Sequence, residues 1–292
     1  MTAGWLVTGA AGMLGRDLTT LLAERGEKAI ALGHGDLDIT DAAAVAAAID
    51  KHQPSVVVNC AAWTAVDDAE AHEGQALRLN GDGPANLAAA CAARGTILVQ
   101  PSTDYVFDGH ATSPYAEDAA TGPRSAYGRT KLAGERAVLE TLPGCGYVVR
   151  TAWLYGEHGN SFVRTMIRLA RRGNPVDVVT DQAGQPTWTA DLAAQILALV
   201  ALSAPAGVYH ATSSGETTWY GLAQEVFDLQ GAGHDLVRPT TSEAFKRPAP
   251  RPAYSVLGHD AWAKAGIAPI GHWRDSLHRA FSAINAATPS TL

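Results

Sequence analysis

The sequence predicts an α/β fold, a doubly wound parallel sheet followed by a smaller α/β region. Three observations predict it. Short apolar runs alternate with longer helical patterns from the N-terminus onward, as βαβ units require. The runs are apolar throughout rather than at every second residue, as strands are when helices cover both faces of a sheet. A glycine-rich turn, with Gly9, Gly12 and Gly15, stands between the first run and the first helix.

The elements follow in order. Trp5–Thr8 reads as a strand and leads into a helix ending near Glu24; Lys28–Leu32 is the next strand, and the alanine-rich Ala42–Asp50 is a good helix former. Ser55–Asn59 is a strand, Pro84–Ala93 a helix, Thr96–Gln100 a strand, Tyr127–Glu140 a helix and Tyr147–Arg150 a strand. After Trp153 the pattern loosens into Gly/Asn/Pro punctuation, with a proline-rich stretch over Arg247–Pro252. The apolar segment Leu192–Leu202 carries Gln195 and is about half the length needed to cross a bilayer, so it reads as a buried helix. Residues 1–153 are expected to form the first domain, with part of 176–204 returning to it and 154–292 making most of the second.

Composition narrows the function classes. A chain of 292 residues has room for a sizeable core, and 47% hydrophobic against 17% charged residues argues against disorder. The net charge of −7 comes with no basic run beyond Arg171-Arg172, so neither nucleic acid nor an anionic membrane is an expected partner. Cys60, Cys91 and Cys145 are far apart and form no CxxC pair, which offers neither a disulfide framework nor a zinc site. No basic segment followed by an apolar one precedes Trp5. The expected compartment is a reducing cytosol.

In the turn Gly9-Ala10-Ala11-Gly12-Met13-Leu14-Gly15, the first glycine permits a tight bend and the second lets backbone approach a pyrophosphate at the helix N-terminus. The third lets helix and strand pack closely. The alternative, glycine used for steric reasons alone, is weakened by the position of the turn between strand and helix.

Further along, Tyr127-Gly128-Arg129-Thr130-Lys131 sets a phenol and an ammonium four residues apart on one helix face. An ammonium beside a phenol favours the phenolate, so Lys131 is expected to bring Tyr127 toward neutrality as a proton-transfer group. Ser102-Thr103 places hydroxyls at a strand end upstream of this pair.

The GxxGxxG spacing, the YxxxK pair and the upstream Thr103 together resemble the extended short-chain dehydrogenase/reductase superfamily, whose fold is of the Rossmann type. The resemblance implies catalysis by Thr103, Tyr127 and Lys131, with Lys131 also holding the nicotinamide ribose and Thr103 binding the substrate oxygen. Cofactor contacts are implied for Gly9, Gly12, Met13, Leu14 and Gly15. Asp38-Ile39, taken to follow a third strand, would lie beside the adenine, and Cys60-Ala61-Ala62, after a fourth, beside a ribose.

Within that superfamily, five segments resemble the dTDP-4-dehydrorhamnose reductase family: Ser102–Gly109, Asn59–Asp67, Arg150–Gly156, Asp181–Thr187 and Arg251–Ser255. The resemblance implies reduction of the 4-keto group of a dTDP-4-keto-6-deoxyhexose, dTDP-4-dehydrorhamnose to dTDP-L-rhamnose, with NADPH or alternatively NADH as donor. It implies that Val66, Asp67, Thr103, Asp104, Tyr105, Trp153 and Arg251 border the sugar nucleotide, Trp153 as an apolar wall and Arg251 on the diphosphate. Related dehydratases need an Asp-Glu pair after the threonine, and here the pair is Asp104-Tyr105, which suits reduction without elimination.

Some relatives are magnesium-linked dimers. Asp17 supplies one suitable carboxylate but Ala190 stands where another is expected, so no metal is expected, and the chain is a monomer or homodimer. Where many relatives carry an arginine after the second strand, Gly33-His34-Gly35 stands here, leaving His34 to meet a 2′-phosphate. Two other readings stay open: a reductase of another dTDP-4-keto-deoxysugar in natural-product biosynthesis, and a non-catalytic regulatory subunit, against which the complete Thr103, Tyr127 and Lys131 set speaks.

Overall fold

The computed structural model describes residues 4–289. β1 (Trp5–Thr8), α1 (Met13–Glu24), β2 (Ala29–Leu32), α2 (Ala42–His52) and β3 (Val56–Asn59) come first. Two short helices, α3 (Val66–Ala71) and α4 (Glu73–Leu77), then run through a π-helical turn at Arg78–Asp82 into α5 (Gly83–Ala92). β4 (Ile97–Thr103), α6 (Ala126–Thr141), β5 (Gly146–Thr151) and β6 (Leu154–Tyr155) follow. The later part holds α7 (Phe162–Arg172), β7 (Val176–Val179), β8 (Ala183–Gly184), β9 (Thr187–Trp188), α8 (Thr189–Ala201) and β10 (Gly207–His210). It ends with β11 (Thr217–Thr218), α9 (Trp219–Leu229), β12 (Val237–Thr240), α10 (Asp260–Lys264) and α11 (Trp273–Ala287).

Six parallel strands form the main sheet in the order β10-β5-β4-β3-β1-β2. The order reverses between β1 and β3, and in such sheets the crevice outside the carboxyl ends at the reversal is the ligand site. The layers on either side are apolar. Leu14, Leu18 and Leu22 of α1 pack with Leu192, Ile196 and Leu199 of α8 against one face, so α8 is the buried helix that its apolar run predicts. Val45 and Ile49 of α2, Leu87 of α5 and Val138 of α6 cover the other. α8 and β10 thus return to the first lobe from the second half of the chain.

One expected strand is missing. No strand lies between β2 and α2, so Asp38-Ile39 follows β2 rather than a third strand, and Asn59 and Thr103 end the third and fourth strands. The cause is local: Gly33 N donates to Asp36 Oδ2 at 2.8 Å, and Thr40 N donates to Asp38 Oδ1 at 2.9 Å. These side-chain turns hold the backbone in place of a ladder.

The second lobe packs α7, α9 and α11 together through Met166, Ile167, Leu222, Phe227, Leu277 and Ile284, with β7 and β12 paired in parallel. A buried ion pair stiffens the sheet end nearest this lobe. Arg150 of β5 donates through Nε and Nη2 to the carboxylate of Glu135 on α6, at 2.8 Å for Nη2. Its Nη1 donates to the Glu117 carbonyl and faces His210 Nε2. Among the described residues no helix is long and apolar enough to cross a membrane.

Candidate active site

The glycine turn has the shape a dinucleotide needs. Gly9 has φ +58°, and a Cβ there would meet Ala61 N at 2.5 Å; a Cβ on Gly15 would meet Gly9 O at 2.5 Å. Backbone therefore touches backbone where β1, α1 and the end of β3 converge. α1 begins at Gly12 with no side chain capping its first amides and no acidic residue in its first turn, which leaves N–H groups and the positive helix end for an anion. Met13 is half-buried beside them, while Leu14 is core. Cys60, Ala61 and Ala62 line the end of β3 with small, half-buried side chains. These residues fit a dinucleotide.

His34 and Asp38 are both exposed at the outer end of this crevice. Asp38 is held below the usual carboxylate range, first by the backbone amide and then by the hydroxyl of Thr40. Asp36 is turned onto the Gly33 amide. Ile39 is 1% exposed and packs against Gly83, where a Cβ would meet it at 2.5 Å. Its side chain is core, so only its backbone faces the crevice.

Behind the crevice a buried polar ladder crosses three strands, from the ends of β1 and β3 to the middle of β4. Thr8 Oγ1 donates to Asn59 Oδ1 at 2.6 Å, Asn59 Nδ2 to Gln100 Oε1 at 2.8 Å, and Gln100 Nε2 to the Pro101 carbonyl at 2.9 Å. That carbonyl also accepts from Lys131 Nζ at 2.8 Å. The ladder orients the ammonium that α6 projects toward the sheet. Asn59 and Gln100 were not among the expected site residues, although a polar residue closing an all-apolar strand such as Val56-Val57-Val58-Asn59 is a readable signal. Asn80, 1% exposed, is another addition: it accepts from Trp63 N and donates to Trp63 O and Thr130 Oγ1, tying the loop before α3 to α6.

Thr103 and Tyr127 come together as the motif spacing requires, the Thr103 hydroxyl lying close enough to favour the phenolate. Thr103, 5% exposed, donates to Asp104 Oδ1 at 2.9 Å and accepts from Tyr105 N at 3.2 Å. The electrostatics differ from expectation. Burial pushes the Tyr127 phenol up to about 12; Thr103 opposes this and the Asp104 charge adds to it. Lys131, itself lowered to about 8 by burial, points its ammonium at the Pro101 carbonyl, and desolvation of the half-buried phenol dominates. The phenol is thus a loaded proton donor at neutral pH. Asp104 is 2% exposed and raised to about 6, burial outweighing the nearby hydroxyls of Ser255 and Thr103, of which Thr103 donates to Oδ1.

Toward the second lobe, the Tyr105 ring stands edge-on to Tyr127 with centroids 5.7 Å apart and lies 6.0 Å under the Arg251 guanidinium. A cavity of about 380 Å³ opens there, lined by Tyr105, Phe162, Met166, Val178, Trp219 and Phe245 among others. Arg247 and Arg251 are the cations of its lining. Trp153 lines neither this cavity nor the smaller one beside Tyr105. It stands at φ +48°, stacked on Trp219 at 3.6 Å, where it supports the cavity wall from behind. A bulky residue with positive φ costs about 1–3 kcal/mol, the kind of strain that collects at functional sites. Val66 and Asp67 open α3 opposite Arg251, and Asp67 Oδ1 forms an ion pair with Arg251 Nη2 at 3.0 Å. The two residues expected on the sugar nucleotide thus meet each other across the lobes. At Asp17 the carboxylate accepts from Thr189 and lies 3.9 Å from His158.

Comparison with known proteins fits this geometry. The family model described as RmlD substrate binding domain matches residues 3–286. The chain is 59% identical over 284 residues to the dTDP-4-dehydrorhamnose reductase of Streptomyces griseus, covering 96% of this chain and 93% of that one. It is 56% identical to the dTDP-4-keto-6-deoxy-D-glucose reductase of Streptomyces niveus, over 98% and 99% of the two chains. The solved dTDP-4-dehydrorhamnose reductase of Bacillus anthracis, in complex with NADP, superposes with a TM-score of 0.93 at 36% identity, covering 97% of this chain and 99% of that one. With an open glycine turn, a Thr-Tyr-Lys set and an arginine-bearing cavity on one scaffold, the chain belongs to the dTDP-4-dehydrorhamnose reductase family.

Proposed function

We propose that the protein is an NADPH-dependent reductase of the 4-keto group of a dTDP-4-keto-6-deoxyhexose, converting dTDP-4-dehydrorhamnose to dTDP-L-rhamnose in the cytosol, as a monomer or homodimer. The observation that carries this reading is the placement of Thr103 and Tyr127 together and against Tyr105, beside an apolar cavity whose cations are Arg247 and Arg251. A nucleoside diphosphate needs that combination: flat apolar walls for a base, and guanidinium forks for phosphate oxygens.

A nicotinamide dinucleotide bound at the Gly9–Gly15 turn, with Lys131 on its ribose and His34 and Asp38 at its adenosine end, supplies a hydride. The chain supplies the rest. Thr103 orients the carbonyl oxygen and spreads its developing charge. Tyr127, kept protonated by burial, gives that oxygen its proton. Lys131 is a fixed positive charge that favours the resulting phenolate. Asp104 is engaged with Thr103, so its part is to orient the threonine. The Streptomyces niveus relative, named for a different 4-keto sugar, supports a second reading in which the same site reduces another deoxysugar. The test is turnover of enzymatically generated dTDP-4-keto-6-deoxy-L-lyxo-hexulose and dTDP-4-keto-6-deoxy-D-glucose with NADPH, with products identified by NMR. Turnover of neither substrate would discard both readings and leave the non-catalytic one.

A further inference from the structure

Of the four carboxylates within residues 67–73, three leave the α3–α4 segment, Asp67 toward the second lobe and Glu70 and Glu73 toward α6. Asp67 reaches the second lobe. Its Oδ1 forms an ion pair with Arg251 Nη2 at 3.0 Å and accepts from Ala249 N at 3.2 Å, while Oδ2 lies 3.7 Å from Arg247 Nη1. Both cations of the large cavity thus share one counter-ion, since the acid in that lining, Asp177, is taken by Arg238 at 2.8 Å. Glu70 reaches the catalytic helix. Its Oε1 accepts from Ala126 N at 2.8 Å, one residue before Tyr127 and beside the Ser125 cap, where an anion is favoured by the helix dipole. Glu73 grips Arg129 of the same helix bidentately, at 2.7 and 2.8 Å. Between these polar arms α3 is seated by Ala69, 0% exposed, in a small cluster with Ala76, Ala126, Trp63 and Tyr127.

We infer that α3 is a rigid coupler in which Asp67 and Glu70 are positioning residues, Asp67 aiming the diphosphate-binding arginines and Glu70 fixing the start of the helix that carries Tyr127. The inference rests on the dTDP-sugar reading for what the arginines hold. Each arm serves a different kinetic step. Asp67 acts on groups that hold substrate in ground and transition state alike; Glu70 acts on the proton donor, whose placement matters only in the transition state.

The full-length protein tests this with three variants. Asp67→Asn is expected to raise KM for the dTDP-4-keto sugar and Kd for dTDP about tenfold, with kcat within about twofold. Glu70→Ala is expected to lower kcat about tenfold with Kd for dTDP unchanged, and Glu70→Gln to restore most of that loss, because an amide oxygen still accepts from Ala126. Hydrogen exchange without nucleotide gives an independent arm with a further variant: in Asp67→Ala, which removes the acceptor, the Ala249 amide should exchange faster than in wild type. Unchanged dTDP affinity in Asp67→Asn together with unchanged exchange in Asp67→Ala would overturn the coupler, as would kcat and KM moving together in the Asp67→Asn and Glu70→Ala variants. Wild-type protein that binds no dTDP would overturn the sugar-nucleotide reading instead, with the exchange arm still judging the coupler.

Discussion

At the residue scale burial acts oppositely on the two titratable groups of the proposed catalytic helix. The Tyr127 phenol is pushed up to about 12 and the Lys131 ammonium down to about 8, so between these values the site loses its ammonium before its acid. On the proposed mechanism the rate should therefore fall as pH rises through about 8, where Lys131 loses the positive charge assigned to the cofactor ribose and to the phenolate formed in the reaction. A kcat profile flat to pH 10 would detach Lys131 from the chemical step. Tyr127→Phe should keep NADPH binding, since the glycine turn and Lys131 are untouched, and lower kcat by at least about a hundredfold, the range for a lost general acid. Near-wild-type turnover in a folded Phe variant would take Tyr127 out of the mechanism. His34, exposed at the end of β2 with Asp36 turned away onto Gly33, is the side chain free to face the adenosine 2′-position. His34→Asp should shift the kcat/KM ratio toward NADH, because a carboxylate repels a 2′-phosphate and accepts from a 2′-hydroxyl; an unmoved ratio would assign the choice to backbone.

At the element scale the β1–α1 turn is the least replaceable piece. Gly9→Ala combines a left-handed φ of +58° with a Cβ 2.5 Å from Ala61 N, so neither rotation nor a small shift relieves it. The variant should lose NADPH binding while retaining the far-ultraviolet dichroism of the fold. Full binding would show that the turn is looser than its contacts imply. This element was legible in the sequence because its chemistry is local: three glycines between an apolar run and a helix. The same holds for Thr103, Tyr127 and Lys131, each defined by position on one strand or helix. The third strand expected before Asp38 was an overreading, because Asp36 and Asp38 close side-chain turns that strand periodicity does not reveal. The second lobe was obscure for another reason. β6, β8, β9 and β11 are two residues each, too short for any period. The Asp67–Arg251 contact joins segments from opposite halves of the chain, a pairing that only tertiary structure makes. Glu70 was invisible for the same reason, since its acceptor role exists only once α3 lies against α6.

At the scale of the whole molecule the catalytic apparatus is a stability liability. Asp104 is buried at the end of β4 with its carboxyl raised from 3.8 to about 6, so the unfolded chain ionises it more readily than the folded one. The favourable contribution of the protonated acid is complete below about pH 4 and is lost as pH rises through about 6. At pH 8 the buried charge costs at most about 3 kcal/mol, the shift converted at about 1.4 kcal/mol per pH unit. Lys131, lowered from 10.5 to about 8, has the mirror-image window: its charged form is strained below about pH 8, and that strain is relieved between about 8 and 10.5. Near neutrality both groups are mostly charged in a site that disfavours charge, a burden domains of ordinary stability carry only where function demands it. Asp104→Asn keeps the shape and an oxygen that can accept from Thr103 while removing the charge. It should therefore raise the unfolding free energy at pH 8 by about 1–3 kcal/mol, with the gain shrinking below pH 6 and mostly gone near pH 4, where wild-type Asp104 is protonated in the folded state and about half protonated in the unfolded one. Urea unfolding of the two proteins at pH 4, 6 and 8 measures it. A gain of equal size at all three values would trace the stabilisation to packing rather than ionisation, and no gain at pH 8 would mean that the Thr103 hydrogen bond and the other polar groups around Asp104 already offset its burial.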